Sequence, residues 1–362
     1  MGTLDLNNTE LDILVIGAGQ AGLAMGFHLR NTPLRFQMID GHVRVGDSWR
    51  KRYDSLKLFT PRMYSALPGM PLSGDPLGYA GRDEFADYLE MYASHFQLPV
   101  VLNTTIQKLQ RLDGHFQASI DSGQVIRSRV VVLATGAFQR PNVPDISRKF
   151  SPEINQYTTV NYRTPAQIPE GTAVLVVGDG ATGRDIAWEL ADHHQVFLAA
   201  GRPRRLLPDR ILGRSAWWWF DKIGLLRLSA ANPLGQYLQR SDPFPGRNKT
   251  FNQLLARGVN VMPRLIAVEG GQITFSNNIS AKVASVVWAT GYRDHGDWVD
   301  IPAVKDGRGQ FIHREGISPV DGLYFIGRPW QRNRGSALIT GVGADASTLL
   351  AQINRRHFFG EG

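Results

Sequence analysis

The chain has 362 residues, 43% of them apolar and 20% charged, with no cysteine and a net charge of +8. These values describe a globular chain with room for two domains; they exclude disulfides, thiolate metal sites, cysteine nucleophiles and a redox-active dithiol. No apolar run reaches the roughly 18–20 residues that span a bilayer, and the basic residues are scattered, without zinc-finger spacing or a long basic run. Nucleic acid is therefore not expected, and dinucleotide phosphates are the expected use of the positive charge. The opening MGTLDLNNTELD is polar and acidic, unlike a signal peptide. Gly2 lacks the downstream Ser or Thr of a myristoylation signal, so a cytoplasmic protein is expected.

The first element is a short β-branched run over residues 12–16, suited to a buried parallel strand. Gly17, Gly19 and Gly22 follow in GxGxxG spacing, with Gln20 and Ala21 between the last two. The first glycine permits the tight turn, the second lets backbone amides approach a pyrophosphate, and the third lets the helix pack on the strand. The helical pattern runs to Arg30, which places the phosphates at a helix N-terminus. A second strand at Phe36–Ile39 ends at Asp40, followed by Gly41; an acid there hydrogen-bonds ribose hydroxyls and repels a 2′-phosphate. This cradle is assigned to FAD.

The arrangement recurs downstream. A strand at 174–177 runs into Gly178, Gly180, Thr182 and Gly183, then a helix over 184–191 and a strand over 196–200. No acid follows this strand; the chain reads Gly201-Arg202-Pro203-Arg204-Arg205. Guanidinium forks suit a 2′-phosphate, so Arg202 is assigned to NADPH, with NADH acceptance left open. Each GxGxxG has its own downstream strand ending in Ala-Thr-Gly: Ala134-Thr135-Gly136 and Ala289-Thr290-Gly291. The result is a pseudo-repeat of roughly 150 residues and an α/β fold with two Rossmann-like dinucleotide-binding domains. The NADPH domain, 166–299, is inserted into an FAD domain formed by 1–165 and 300–362, with Pro165, Pro169 and Pro302 marking the joints.

Residues 211–228, ILGRSAWWWFDKIGLLRL, form an aromatic amphipathic insertion. It is expected to cap a substrate entrance, form a dimer contact, rest on a membrane surface or be plain core. A loop containing Pro243 and Pro245 follows. Near the end, a final strand closes at Gly327, and Ser336 and Ala337 precede a helical pattern through Leu350. No HExxH-like spacing occurs: His193 and His194 read as the polar end of a helix and His28 as a helix residue, so no metal is expected.

Residues 46–69, GDSWRKRYDSLKLFTPRMYSALPG, with GAGQAG before them and ATGAFQRPNVP after, resemble bacterial flavin-containing monooxygenases, especially their short predicted-flavoprotein branch. The resemblance continues through 206–226 and 322–346 and covers nearly the whole chain. It implies FAD and NADPH as cofactors, a small-molecule substrate with O2, and a flavin hydroperoxide that oxygenates soft nucleophiles such as sulfides and amines. A homodimer is expected. It also implies that Ser48, Trp49, Arg50, Tyr53, Ser55, Leu56 and Thr60 lie on the FAD side. From spacing alone, Trp49 and Tyr53 are four apart, on one helical face, and read more readily as core. Two departures stand out. Phe59 occupies the position of the family asparagine beside the flavin, and Thr158 stands where the family has a histidine. A phenyl ring donates no hydrogen bond, which leaves stabilisation of the peroxide to NADP+ and backbone groups. Alternative readings are Baeyer–Villiger oxygenation of ketones, for which GDSW at 46–49 is only a partial match to the GGTW segment, and an NAD(P)H oxidase or reductase without productive oxygenation.

Overall fold

The computed structural model describes residues 10–201, 206–241 and 244–359. Two sheets, each built around one glycine turn, organise the chain. In the first, Val100–Val101, Phe36–Ile39, Leu11–Ile16 and Val125–Leu133 run parallel in that order. Val125–Leu133 has two further neighbours on its far side: its first half pairs antiparallel with His115–Ile120, and its second half parallel with Leu323–Phe325. The last strand therefore returns from the far end of the sequence to complete the first sheet.

The second sheet is parallel throughout, in the order Asn260–Met262, Gln195–Ala199, Ala173–Val177, Ser285–Trp288, Asn155–Thr158. Apolar side chains fill both faces of each sheet, and that is why the central strands Leu11–Ile16, Ala173–Val177 and Ser285–Trp288 read as apolar runs without alternation. Asn155–Thr158 belongs to this sheet although it precedes residue 166, so the second unit recruits chain from before the expected joint. A three-stranded antiparallel sheet, Leu265–Glu269, Gln272–Phe275 and Ser280–Lys282, packs beside it.

The two cradle helices, Gln20–Leu29 and Ala181–Leu190, seat on their turns by the same contact. A Cβ on Gly22 would lie 1.9 Å from the Gly17 carbonyl oxygen, and one on Gly183 would lie 1.8 Å from that of Gly178. Gly17 and Gly178 take φ of 108° and 107°, a region that favours glycine.

The insertion folds as a short hairpin, Arg210–Ile211 with Arg214–Ser215, the helices Ala216–Lys222 and Pro233–Ser241, and a 3-10 turn between them. It leaves its own unit and docks on the first. Gly335 N–H donates to Leu226 O at 2.8 Å, Arg334 N–H to Leu228 O at 3.3 Å, and Ala230 N–H to Arg332 O at 3.4 Å. No helix among the described residues is long and apolar enough to cross a membrane.

Gly183→Ala is expected to cost about 1–3 kcal/mol through overpacking against the turn. Gly180→Ala, whose Cβ meets nothing within 4 Å, should cost less. Urea titration of the two variants checks the order; equal losses would show that the close contact does not govern stability.

Candidate functional site

The first cradle is built for an anion. Gly19 caps its helix with no side-chain acceptor, so the first-turn amides at Gln20, Ala21 and Gly22 have no acceptor one turn back. A Cβ added at Gly19 meets nothing, leaving the backbone open to close approach. Asp40 lies at the end of the neighbouring strand and accepts from Ala18 N–H at 2.7 Å and His42 N–H at 2.9 Å, with His42 Nδ1 at 2.7 Å. Burial opposes its ionisation, yet the bonds from His42 and Ala18 outweigh burial and hold the carboxyl below its ordinary value. Gly41 is exposed beside it. Gly327, φ 80°, closes on the same turn: its added Cβ would lie 2.7 Å from that of Ala21. The open glycine, the uncapped amides and the ionised acid together fit an adenosine dinucleotide such as FAD.

The second cradle repeats the uncapped N-terminus at Gly180 and the open space beside it, with Thr182 half-buried in the first turn. Its brace is reversed. The acid sits inside the turn as Asp179, whose Oδ1 accepts from Gly201 N–H at 3.1 Å, beyond the end of the second strand. Arg184 donates to Asp179 O at 2.8 Å and lies 3.4 Å from its carboxylate. This cradle also fits a nucleotide phosphate. Arg202 lies outside the described residues.

Between the cradles, the flavin-segment residues separate. Trp49 packs edge-on against Phe85 at 4.9 Å, in the first core, and its Nε1 donates to Gln20 Oε1 at 3.1 Å. Tyr53 does not share its face: the intervening helix, Asp47–Arg50, ends before it. Tyr53 is instead buried in the core of the second unit with Leu56 at its edge. Its hydroxyl donates to Asp185 Oδ2 at 2.9 Å, and burial followed by the Asp185 charge pushes it well above its ordinary pKa. Arg247 Nη2 reaches the same oxygen at 2.5 Å, and Lys249 bonds the other. One turn along the same helix, Glu189 accepts from Ser55 Oγ at 2.9 Å. Asp185 and Glu189 thus clasp the segment 53–55 to the helix that starts at the second cradle.

Phe59 lies against Trp217 at 5.8 Å, and its carbonyl accepts from Trp217 Nε1 at 2.9 Å. Thr60 is buried, its hydroxyl 2.7 Å from Ser65 Oγ. Ser48 is half-buried, its carbonyl accepting from Arg52 Nε at 3.3 Å. Arg50 is spent on Asp47, Asp87 and Glu90. Thr158 closes a turn, its N–H donating to Asn161 Oδ1 at 2.6 Å, on the edge strand of the second sheet and away from Phe59. Ser336 Oγ accepts from Arg332 N–H at 3.0 Å and Asn333 N–H at 3.2 Å, and Ala337 takes φ 66°, shaping the loop before the helix Ile339–Ile353.

The second Ala-Thr-Gly segment meets the chain just beyond the first. Asn142 N–H donates to Gly291 O at 2.9 Å, and the Thr290 hydroxyl bonds Asn142 O. Thr135 Oγ1 and Gly136 O both accept from Gln139 Nε2, at 2.9 and 2.7 Å. Ala134 is buried beside Gly22, and Ala289 is half-buried beside Gly183. Arg328 locks this crossing: it donates to Gly136 O at 3.2 Å and forks onto Asp294 at 2.7 and 2.6 Å. His313 lies half-buried beside the pair, held down to about 4 by desolvation and then by the Arg328 charge.

Sequence reasoning missed Asp179, Asp185, Trp217 and the Arg328–Asp294 pair. An acid inside GDGATG was a visible signal for the first. For Trp217, three consecutive tryptophans gave no sign of which one turns inward.

The family described as pyridine nucleotide-disulphide oxidoreductase matches residues 14–204. The CzcO-like oxidoreductase of Geobacillus kaustophilus is 46% identical over 345 residues, spanning 95% of this chain and 98% of that protein. Among solved structures, the flavin-containing monooxygenase from Stenotrophomonas maltophilia superposes with a TM-score of 0.79 at 23% identity, over 95% of this chain and 98% of the other. OTEMO, in complex with FAD and NADP, superposes with a TM-score of 0.69 at 16% identity, over 95% and 84%.

Asp294→Ala leaves Arg328 buried without its partner and is expected to cost about 3–5 kcal/mol; a joint Asp294→Ala and Arg328→Met replacement should recover much of that in denaturant titration. The depressed His313 carries a pH signature. The unfolded chain takes up a proton near 6.5 and the folded chain only near 4, so stability should fall as pH drops through that window. His313→Gln should flatten the fall, and an unaltered profile would place the acid sensitivity elsewhere.

Proposed function

Because the chain belongs to the pyridine nucleotide-disulphide oxidoreductase family and has the fold of the flavin-containing monooxygenases, we propose that it is an FAD-dependent monooxygenase. It would take NADPH and O2 and transfer one oxygen atom to a soft nucleophile, a sulfide or an amine, releasing NADP+ and water. One observation carries this reading. Two uncapped glycine cradles, one on each of the two main sheets, occur in a chain with no cysteine. An electron acceptor and a donor each have a place, and no dithiol is present to receive the electrons.

Gly17, Gly19, Gln20, Ala21, Gly22 and Asp40 would hold FAD, and Gly178, Gly180, Thr182 and Gly183 the nicotinamide dinucleotide. When bound, the flavin supplies hydride acceptance and oxygen activation; the chain supplies binding, orientation and exclusion of water. The first-turn amides of each cradle helix bind the pyrophosphates. The ionised Asp40 accepts ribose hydroxyls. The Asp185–Tyr53 clasp fixes the second cradle against the flavin segment. Phe59 and Trp217 form an aromatic wall whose own side chains carry no acid or base, with the Arg334 guanidinium over the Trp217 ring at 5.9 Å. Sulfide and amine oxygenation need little proton handling from the protein, and this wall suits that economy. The likeness to the Stenotrophomonas monooxygenase supports the class of reaction, and that to OTEMO the cofactor pair.

The Phe59 position favours a second reading, an NAD(P)H oxidase, because no side-chain donor stands there. Measuring product and peroxide per NADPH consumed, with a methyl aryl sulfide, an amine and a cyclic ketone, separates the cases. Sulfoxide or N-oxide near stoichiometry supports the proposal. An ester from the ketone supports Baeyer–Villiger chemistry, and peroxide alone supports the oxidase. Arg202→Ala should raise the KM for NADPH roughly tenfold while leaving that for NADH nearly unchanged, as expected for loss of one charge-assisted contact; a constant ratio would remove the 2′-phosphate assignment.

A further inference from the structure

The insertion has two faces. The inner one carries Trp217 and Leu226 onto Phe59 and the loop before the last helix. The outer one begins with the hairpin Arg210–Ile211 and Arg214–Ser215, whose two-residue turn is Leu212-Gly213, with φ of 49° and 73°. Two successive positive φ values define a turn that favours asparagine, aspartate or glycine. A leucine is strained there, and this one is 87% exposed. It gains no burial within the chain to offset the strain. A strained, exposed aliphatic side chain at a protruding tip points to a use outside the chain.

Its surroundings say what kind. Trp219 Nε1 donates to Ile211 O at 2.9 Å, so the indole lies against the hairpin. Ile223, one turn further along the helix, is 63% exposed. Arg210, Arg214 and Lys222 are exposed around these groups, and among the described residues none has a carboxylate within salt-bridge distance. Arg214 and Lys222 lie over the Trp218 ring at 5.4 and 5.7 Å.

We infer that this outer face docks on an anionic lipid surface. The Leu212 tip, Trp219 and Ile223 enter the headgroup layer, and Arg210, Arg214 and Lys222 meet the lipid phosphates. A narrow apolar wedge with a cationic rim matches the boundary between headgroups and acyl chains. A second copy of the chain is disfavoured, because a self-contact would bring like charges together. The aromatic wall at Phe59 would then lie about one helix diameter, roughly 10 Å, behind the docked face.

Co-sedimentation of the FAD-loaded full chain with vesicles tests this. It should pellet with vesicles of phosphatidylcholine and phosphatidylglycerol, release with rising salt, and stay in solution with phosphatidylcholine alone. A joint Arg210→Glu and Arg214→Glu replacement should weaken binding at least tenfold, given roughly fivefold per cation. Leu212→Asn suits the turn sterically, so it should match or exceed the parent in melting temperature while losing about tenfold in vesicle binding. Absence of pelleting with the anionic vesicles, or unchanged binding in both variants, overturns the inference. A dimer in solution that Leu212→Asn splits would assign the face to a second copy and overturn it equally.

Discussion

Two absent side chains govern this molecule. Gly22 and Gly183 let a helix sit on the carbonyl of the turn that launches it, closer than any Cβ allows. With the helix seated there, its first-turn amides aim at the cleft beside the sheet, and Gly19 and Gly180 leave that approach open. A methyl group at either seat would push the helix outward and turn the same amides toward solvent. The first seat positions more than its own helix: Ala21 is pressed by Gly327, which brings the last strand of the chain to the first turn. The contact is local, yet it sets the turn against which residues 21 and 327, far apart in the chain, come together.

Two cradles are useful only if they face each other in a fixed register, and the chain sets that register with buried charge. Asp185, 5% exposed at its side chain, binds Tyr53 from one stretch and Arg247 and Lys249 from another. An apolar contact of equal size would be no less stable, since burying a carboxylate carries a desolvation penalty that its partners only offset. What a directional cluster adds is uniqueness of alignment. The same logic holds at the other crossing, where Arg328 forks onto Asp294 and touches Gly136, fastening the two Ala-Thr-Gly segments to the final strand. Arg247 and Asn248, with φ of 45° and 55°, bear local strain that the cluster holds in place.

Legibility in the sequence followed locality. The strands, turns and helices of both cradles were readable because each is a contiguous pattern whose physics closes within about 30 residues. Asp40 was readable for the same reason, as it sits at a fixed step after its turn. Helix starts were displaced by a few residues, as at Ala181, because an uncapped glycine leaves no capping signature. Tyr53 was not readable: its partner is 132 positions away, and spacing from Trp49 spoke only of a helix that ends at Arg50. Nor was the strand Asn155–Thr158, whose polar sequence gains its place by pairing with Ser285–Trp288. The insertion gave an amphipathic signal but not a destination, since its backbone bonds to residues 332–335 leave no trace in side-chain pattern.

Phe59 shows how a departure from a family pattern acquires meaning only in three dimensions. On sequence alone it subtracts a hydrogen-bond donor. In the structure its carbonyl is satisfied by the Trp217 indole and its ring lies against the same side chain, so the position has become part of an aromatic wall with Tyr64 and Leu226. Donors placed at a reaction centre stabilise charge, whereas an apolar wall protects by excluding water and by strengthening the electrostatic contacts that remain. On the proposed reading, this chain has moved from the first strategy to the second. The wall is furnished by an insertion of the second unit that docks on the first. Any relative movement of the two units must therefore either carry the insertion with the first or break its backbone bonds to 332–335. The Trp217–Phe59 bond makes the first course the less costly, because it adds a buried, satisfied donor to that same junction.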